Sequence, residues 1–174
     1  QSRSSAASDV YKRQTIDCTF DKKETLDQAI QRIQNESEIS VRKGLTQLIL
    51  SDKNVCEERL AIPMLLSVGA VNTHLIKNKL RGYASINAQT GEALDTHSFA
   101  TLIGVGATTV NPYLALDSLY QRFEKKLFGK FAYDECIERF VQSVNYGLLK
   151  IMSKMGISVL SSYRGGCNFE TVGL

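Results

Sequence analysis

Two lysines four residues apart, Lys150 and Lys154, open the stretch of this chain whose residue types most suggest chemistry. That spacing places both on one helix face, as a single basic spot for a carboxylate or phosphate or as two solvated side chains. Directly after them comes Met155-Gly156-Ile157-Ser158. A glycine there lets the backbone approach a flat ring closely, and neighbouring amides can bond ring heteroatoms. A buried strand with a glycine in it is the plainer alternative. Tyr163-Arg164-Gly165-Gly166 reads as a strand-to-loop transition in which Arg164 can pair with an acid. Glu170 follows Phe169 and, from pattern alone, is an exposed glutamate at a helix start.

Elsewhere the chemistry is thinner. His74 and His97 are isolated imidazoles, which do not make a metal site, and structural roles are expected for both. Gly104-Val105-Gly106 could cradle an anion. It lacks the following Lys-Ser/Thr or a dinucleotide fingerprint, so a tight helix-to-strand turn is the default. The four cysteines, at 18, 56, 136 and 167, show no C-x-x-C spacing and read as reduced, unpaired thiols.

The elements that must position these residues follow from the hydrophobic pattern. With 43% hydrophobic residues and a net charge of +3, the 174-residue chain has the composition of an ordinary globular protein. Its basic residues are interleaved with acids, which disfavours nucleic-acid binding. Its longest apolar run, Leu60 to Val71, is interrupted by Pro63 and Gly69 and is too short to span a bilayer. Residues 1-14 are polar, small and without periodicity, and are expected to be a non-native or disordered leader.

Beyond the leader, Thr25 to Lys43 has an approximate helical period, with Thr25 as N-cap, Gln28 completing a capping box and Gly44 as the stop. Leu45 to Leu50 reads as a strand and Leu60 to Leu80 as a helix whose core set is Ile62, Leu65, Leu66, Val68, Leu75, Ile76 and Leu80. Tyr83 to Ala88 is a second strand, Asp95 to Gly104 a short helix and Thr108 to Val110 a third strand. Two helices, Asp117 to Phe128 and Tyr133 to Met155, complete the pattern. The class is α/β, a βαβαβ unit on a parallel sheet with right-handed crossovers, and any function should lie at the strand ends.

Several stretches, in order, resemble one family. They are Ile16-Asp17-Cys18-Thr19-Phe20, Leu48-Ile49-Leu50-Ser51-Asp52, Ile62-Pro63 through Gly69-Ala70-Val71, Thr90-Gly91-Glu92-Ala93 and Asn111-Pro112-Tyr113-Leu114-Ala115. To these are added Lys150-Ile-Met-Ser-Lys154-Met155-Gly156-Ile157-Ser158 and Phe169-Glu170. Together they resemble the large subunit of glutamate synthase. The resemblance implies that residues 15-119 are the last part of that family's central domain. Residues 120-174 would be the connector and the start of the FMN-binding domain, with Met155 to Ser158 as the first strand of an incomplete (β/α)8 barrel.

The resemblance also implies an activity for the intact protein. Glutamine is hydrolysed in an amidotransferase domain and its ammonia travels through a tunnel to 2-oxoglutarate. FMN then reduces 2-iminoglutarate to glutamate. Electrons arrive through a 3Fe-4S cluster whose ligands lie outside these residues, from a small NADPH-oxidising subunit or from ferredoxin, in the cytoplasm of a bacterium. On this reading Met155, Gly156, Ile157 and Ser158 contact FMN, and Glu170 is the catalytic carboxylate that holds ammonium or takes its proton. Gly166-Cys167 stands where the family carries Ala-Gln, which removes a side-chain amide from that position. The piece alone is expected to be inactive. The alternative is a non-catalytic α/β scaffold that bridges domains and lines the ammonia tunnel.

Overall fold

The computed structural model describes residues 12–166 and 168–170. Four strands, β1 (Arg13–Asp17), β3 (Gln47–Ser51), β5 (Ser85–Gln89) and β6 (Thr109–Asn111), form one sheet in the order β1-β3-β5-β6, and every pairing is parallel. Spatial order therefore equals chain order. The crossovers are α1 (Leu26–Arg42), α2 (Met64–Lys77) and α3 (Thr96–Gly104). Right-handed crossovers between sequential neighbours place successive helices on the same face of a sheet, and here α1 packs on α2 and α2 on α3.

The sheet is two-faced because side chains alternate along each strand. Ile16, Leu50, Ala88 and Val110 stand side by side in register, with Leu48 and Ile86 in the next row. Apart from the half-buried Val110 of the edge strand, these residues are at most 1% exposed, beneath the helices. The opposite face carries Thr15, Ile49, Asn87 and Thr109 in one row and Asp17, Ser51, Gln89 and Asn111 in another. Parallel sheets usually have apolar residues on both faces; this one is polar on the face away from its helices.

α1 begins as its sequence predicts. Thr25 Oγ1 accepts from the Gln28 amide at 3.3 Å and Gln28 Oε1 accepts from the Thr25 amide at 3.0 Å. The helix buries Ala29, Ile33, Ser37 and Val41 as one stripe and ends before Gly44, whose φ is +83°. α2 differs from expectation. Arg59–Ala61 is a strand, β4, pairing antiparallel with β2 (Thr19–Asp21), and the helix starts only after Pro63. Its buried stripe is consequently Met64, Val68, Val71 and Leu75, whereas the expected core residues Leu65, Leu66 and Ile76 are 40%, 41% and 53% exposed.

At the N-terminal end, β1 takes in Arg13 and Gln14, which the polarity of residues 1-14 assigns to a leader; parallel pairing with Gln47 and Leu48 uses backbone groups that every residue carries. Residues 1–11 of that stretch lie outside the described residues.

Three further helices follow: α4 (Tyr113–Glu124), α5 (Tyr133–Lys154) and the single turn α6 (Leu160–Tyr163). α4 starts four residues earlier than the charge pattern implies, because its first turn, Tyr113 to Leu116, is apolar and follows Pro112 directly. α5 packs against α3 and α4. The strand expected at Met155 to Ser158 does not form. Met155 caps α5, Gly156 has φ +71°, and Gly156 N and Ile157 N donate to Ser153 O and Met152 O at 3.1 and 3.0 Å. A left-handed glycine closing a helix spends these amides on the helix end, which leaves them unavailable for a sheet.

Candidate functional site at the C-terminal edge of the sheet

All four strands point the same way, so their C-terminal ends lie on one edge, where ligands of open α/β sheets gather. Each strand ends in polar residues: Asp17, Ser51-Asp52, Gln89-Thr90 and Asn111. The centre of this rim is Asp52, 3% exposed. Its carboxylate accepts from Thr90 Oγ1 at 2.5 Å and from the Gly91 amide at 3.1 and 3.2 Å. The Tyr113 hydroxyl bonds the same carboxylate, and burial, then this contact, pushes its pKa up to about 12. Lys53 Nζ lies 4.9 Å from the centre of the Tyr113 ring. Asp52 thus ties together the loops that follow β3, β5 and β6.

The tie continues outward. Thr90 Oγ1 accepts from Glu92 N at 3.0 Å, and Glu92 Oε2 accepts from Met64 N at 2.9 Å, at the start of α2. Ser51 Oγ donates to Gln89 Oε1 at 2.8 Å across the strands. At the β1 end, Arg59 Nη2 meets Asp17 Oδ2 at 3.0 Å, and Arg32 donates to the carbonyls of Asp17 and Thr19 at 3.0 and 2.7 Å. Burial acts against the Asp17 carboxylate, but hydrogen bonds from Thr19 and Asn54 and the Arg59 charge hold its pKa below the usual range.

A buried carboxylate already receiving a hydroxyl, an amide and a phenol is an organiser of loops and not a free base. Beside the rim, on the open polar face, lies a cleft of about 450 Å³ lined by Gln47, Ile49, Asn87, Gln89, Thr109 and Asn111, among others. Its walls carry side-chain amides and hydroxyls beside the apolar Ile49 and Ala88. Small polar solutes can exchange hydrogen bonds there without meeting a charge.

The residues singled out from sequence sit elsewhere. Met155 to Ser158 form the turn after α5, beside a shallow cleft of about 480 Å³ lined by Leu149, Met152, Gly156 and Ile157 among others. Phe169 packs on α3 so closely that a Cβ at Gly104 would meet its ring at 2.4 Å, and it makes edge contacts with His97 and Tyr163. Glu170 follows it, exposed. No hydrogen bond joins Glu170 to the Met155 turn among the described residues. Cys167 lies outside the described residues.

Lys150 and Lys154 are exposed. His74 bonds Glu38 at 2.6 Å and Asn78 at 3.2 Å, a bridge between α1 and α2. The amides of Val105, Gly106 and Ala107 all return to α3 carbonyls, so the glycine turn is a helix stop and offers no anion cradle. Cys18, Cys56 and Cys136 are free thiols, and burial pushes that of Cys18 up to about 12. Among the described residues there is no cluster of metal-ligating side chains, and no helix is long and apolar enough to cross a membrane.

From sequence, Asp52, Thr90 and Tyr113 carry no role of their own and stand within stretches that resemble one family. The signal that marks Asp52 and Thr90 is that β3 and β5 each end in a polar pair, Ser51-Asp52 and Gln89-Thr90; Tyr113 has no such mark.

The architecture defines a class: a singly wound α/β unit whose four-stranded main sheet is all-parallel, with a locked polar rim and a polar face away from the helices. Comparison with known proteins supplies the particular. The family model described as "Glutamate synthase central domain" matches residues 2–174. The chain is 51% identical over 162 residues to the glutamate synthase [NADPH] large chain of Azospirillum brasilense, covering 91% of this chain and 11% of that one. It is 46% identical over 161 residues to the chloroplastic ferredoxin-dependent glutamate synthase of Oryza sativa subsp. japonica, covering 86% and 10%. It is 38% identical over 168 residues to the glutamate synthase [NADH] of Schizosaccharomyces pombe, covering 94% and 8%. The chain belongs to the glutamate synthase central domain family, and it spans about a tenth of the length of these relatives.

Proposed function

We propose that this chain is the part of a glutamate synthase in which residues 15-119 end the central domain and residues 120-174 lead into the FMN-binding barrel. In that protein the amide nitrogen of glutamine passes to 2-oxoglutarate, and the flavin supplies the reducing equivalents that convert 2-iminoglutarate to glutamate. A 3Fe-4S cluster held outside these residues brings the electrons, from an NADPH-oxidising subunit or from ferredoxin, in the cytoplasm. The observation that supports this reading is the identity of 38% to 51% along most of the chain to relatives bearing that name.

Within this reading Glu170 is the carboxylate that receives ammonium, and Met155 to Ser158 run beside the flavin. The Met155, Gly156 and Ile157 amides already close α5, so they do not fit as hydrogen-bond donors to the flavin heteroatoms. What favours proximity is the open cleft at Gly156, where an added Cβ would meet nothing within 4 Å. In the whole protein, Glu170→Gln should lower glutamine-dependent glutamate synthesis about tenfold or more while glutamine hydrolysis persists. Equal activity in the variant overturns the role of Glu170. The 174-residue chain alone, given glutamine, 2-oxoglutarate and reductant, should form no glutamate.

A second reading rests on the polar cleft. Its amides and hydroxyls suit the wall of a conduit for ammonia, and the engaged Asp52 rim suits a scaffold between domains. Asn87→Phe in the whole protein should then reduce the glutamate formed per glutamine hydrolysed. An unchanged ratio rules out that role for the cleft.

A further inference from the structure

At the opposite edge of the sheet, where the strands begin, two guanidinium groups share one cavity. We propose that Arg81 and Arg164 form a binding site for a small oxyanion, a phosphate or carboxylate. The cavity, about 360 Å³, is also lined by Thr46, Ser85 and Thr108, and among the described residues no carboxylate lines it. Neither arginine has an ion pair among the described residues.

Arg81 is fixed before any ligand arrives. Its Nε donates to Asn72 Oδ1 at 2.7 Å, Nη1 to Ala84 O at 2.6 Å and Nη2 to Gly106 O at 2.8 Å. A guanidinium has five N–H donors, so one on each terminal nitrogen stays available. Asn72 is itself held against Gly106, where an added Cβ would lie 2.4 Å from Asn72 Cγ.

Arg164 is brought in from 83 positions later in the chain by an independent anchor. Tyr163 is fully buried and its hydroxyl donates to Ala100 O at 3.1 Å, while the Gly165 amide donates to Gly104 O at 2.9 Å. The half-buried Arg164 between them is thereby held at the strand-start edge. Burial, and then the Arg164 charge, hold the pKa of Arg81 below the ordinary guanidinium range. Two cations held close without an acid between them repel, and a shared oxyanion removes that repulsion while matching the planar donor forks.

The test is a titration of the 174-residue chain at low ionic strength with inorganic phosphate and, separately, with succinate. The arginine Nε–Hε signals are followed by NMR, with chloride at matched ionic strength as control. Saturable shifts of the Arg81 and Arg164 signals are expected, absent with chloride. Arg164→Gln should weaken binding about tenfold, the scale of a lost charged hydrogen bond. Arg164→Lys should fall between, keeping charge but losing the fork. Saturation by phosphate alone assigns the site to phosphate groups and by succinate alone to carboxylates; either supports it. Shifts linear in concentration, shifts matched by chloride, or binding unaltered by Arg164→Gln overturn it. Among the described residues the Arg164 side chain makes no hydrogen bond to a core element, so the variant should keep the wild-type NMR spectrum elsewhere.

Discussion

At the scale of single residues, the tightest arrangement is the one around Asp52. A carboxylate receiving Thr90, Gly91 and Tyr113 leaves unpaired donors when it is truncated, so Asp52→Ala should cost about 2–4 kcal/mol by urea unfolding. The phenol gives a second readout. Because the Tyr113 pKa is raised in the folded state, its contribution to stability is complete below the ordinary tyrosine pKa and is lost as pH climbs toward about 12. Burial raises the pKa of the fully buried Tyr163 as well, so the check is on Tyr113 itself: in a Tyr163→Phe background, Asp52→Asn should lower the midpoint of the late phase in a spectrophotometric titration. The sequence marks Asp52 only as the polar end of a strand. Its partners come from positions 90, 91 and 113, and no local spacing announces such a meeting. Glu170 was readable only by resemblance, and its exposed setting adds nothing that a solvated glutamate would lack.

At the scale of elements, legibility tracked how local the determinants are. The capping box of α1 is written in four consecutive residues, and it forms as read; Thr25→Ala should destabilise the chain by about 1 kcal/mol in thermal or urea unfolding. The β2–β4 ribbon is three residues long and depends on pairing between residues 38 to 42 apart, so neither strand shows in the pattern, and its presence displaces the start of α2. Met155 to Ser158 reads as a strand because it is apolar around a glycine, whereas the glycine's left-handed φ ends a helix there. Gly106 makes a sharper case. With φ +125° and Asn72 against it, Gly106→Ala should cost more than about 2 kcal/mol by urea unfolding, and the variant should also disturb the Arg81 Nε–Hε signal through Asn72.

For the whole molecule, the α/β class and parallel sheet were legible because alternating helix and strand periods leave few other solutions. The polarity of the uncovered face was written in the strands as Thr15, Asn87, Gln89 and Thr109, but which face the helices would cover needed the three-dimensional register. Amide hydrogen exchange should be slowest in β3 and β5, which are paired on both sides, and faster in the edge strands β1 and β6.

The match between strand order and chain order carries a consequence for synthesis on the ribosome. Each new strand of the main sheet docks beside the one made just before it, so the growing chain adds to a sheet edge already in place and never has to insert between two formed strands. Loop closure is limited at every step to one crossover. Assembly can therefore proceed in the direction of translation, with β1 and β3 paired before β6 has left the exit tunnel.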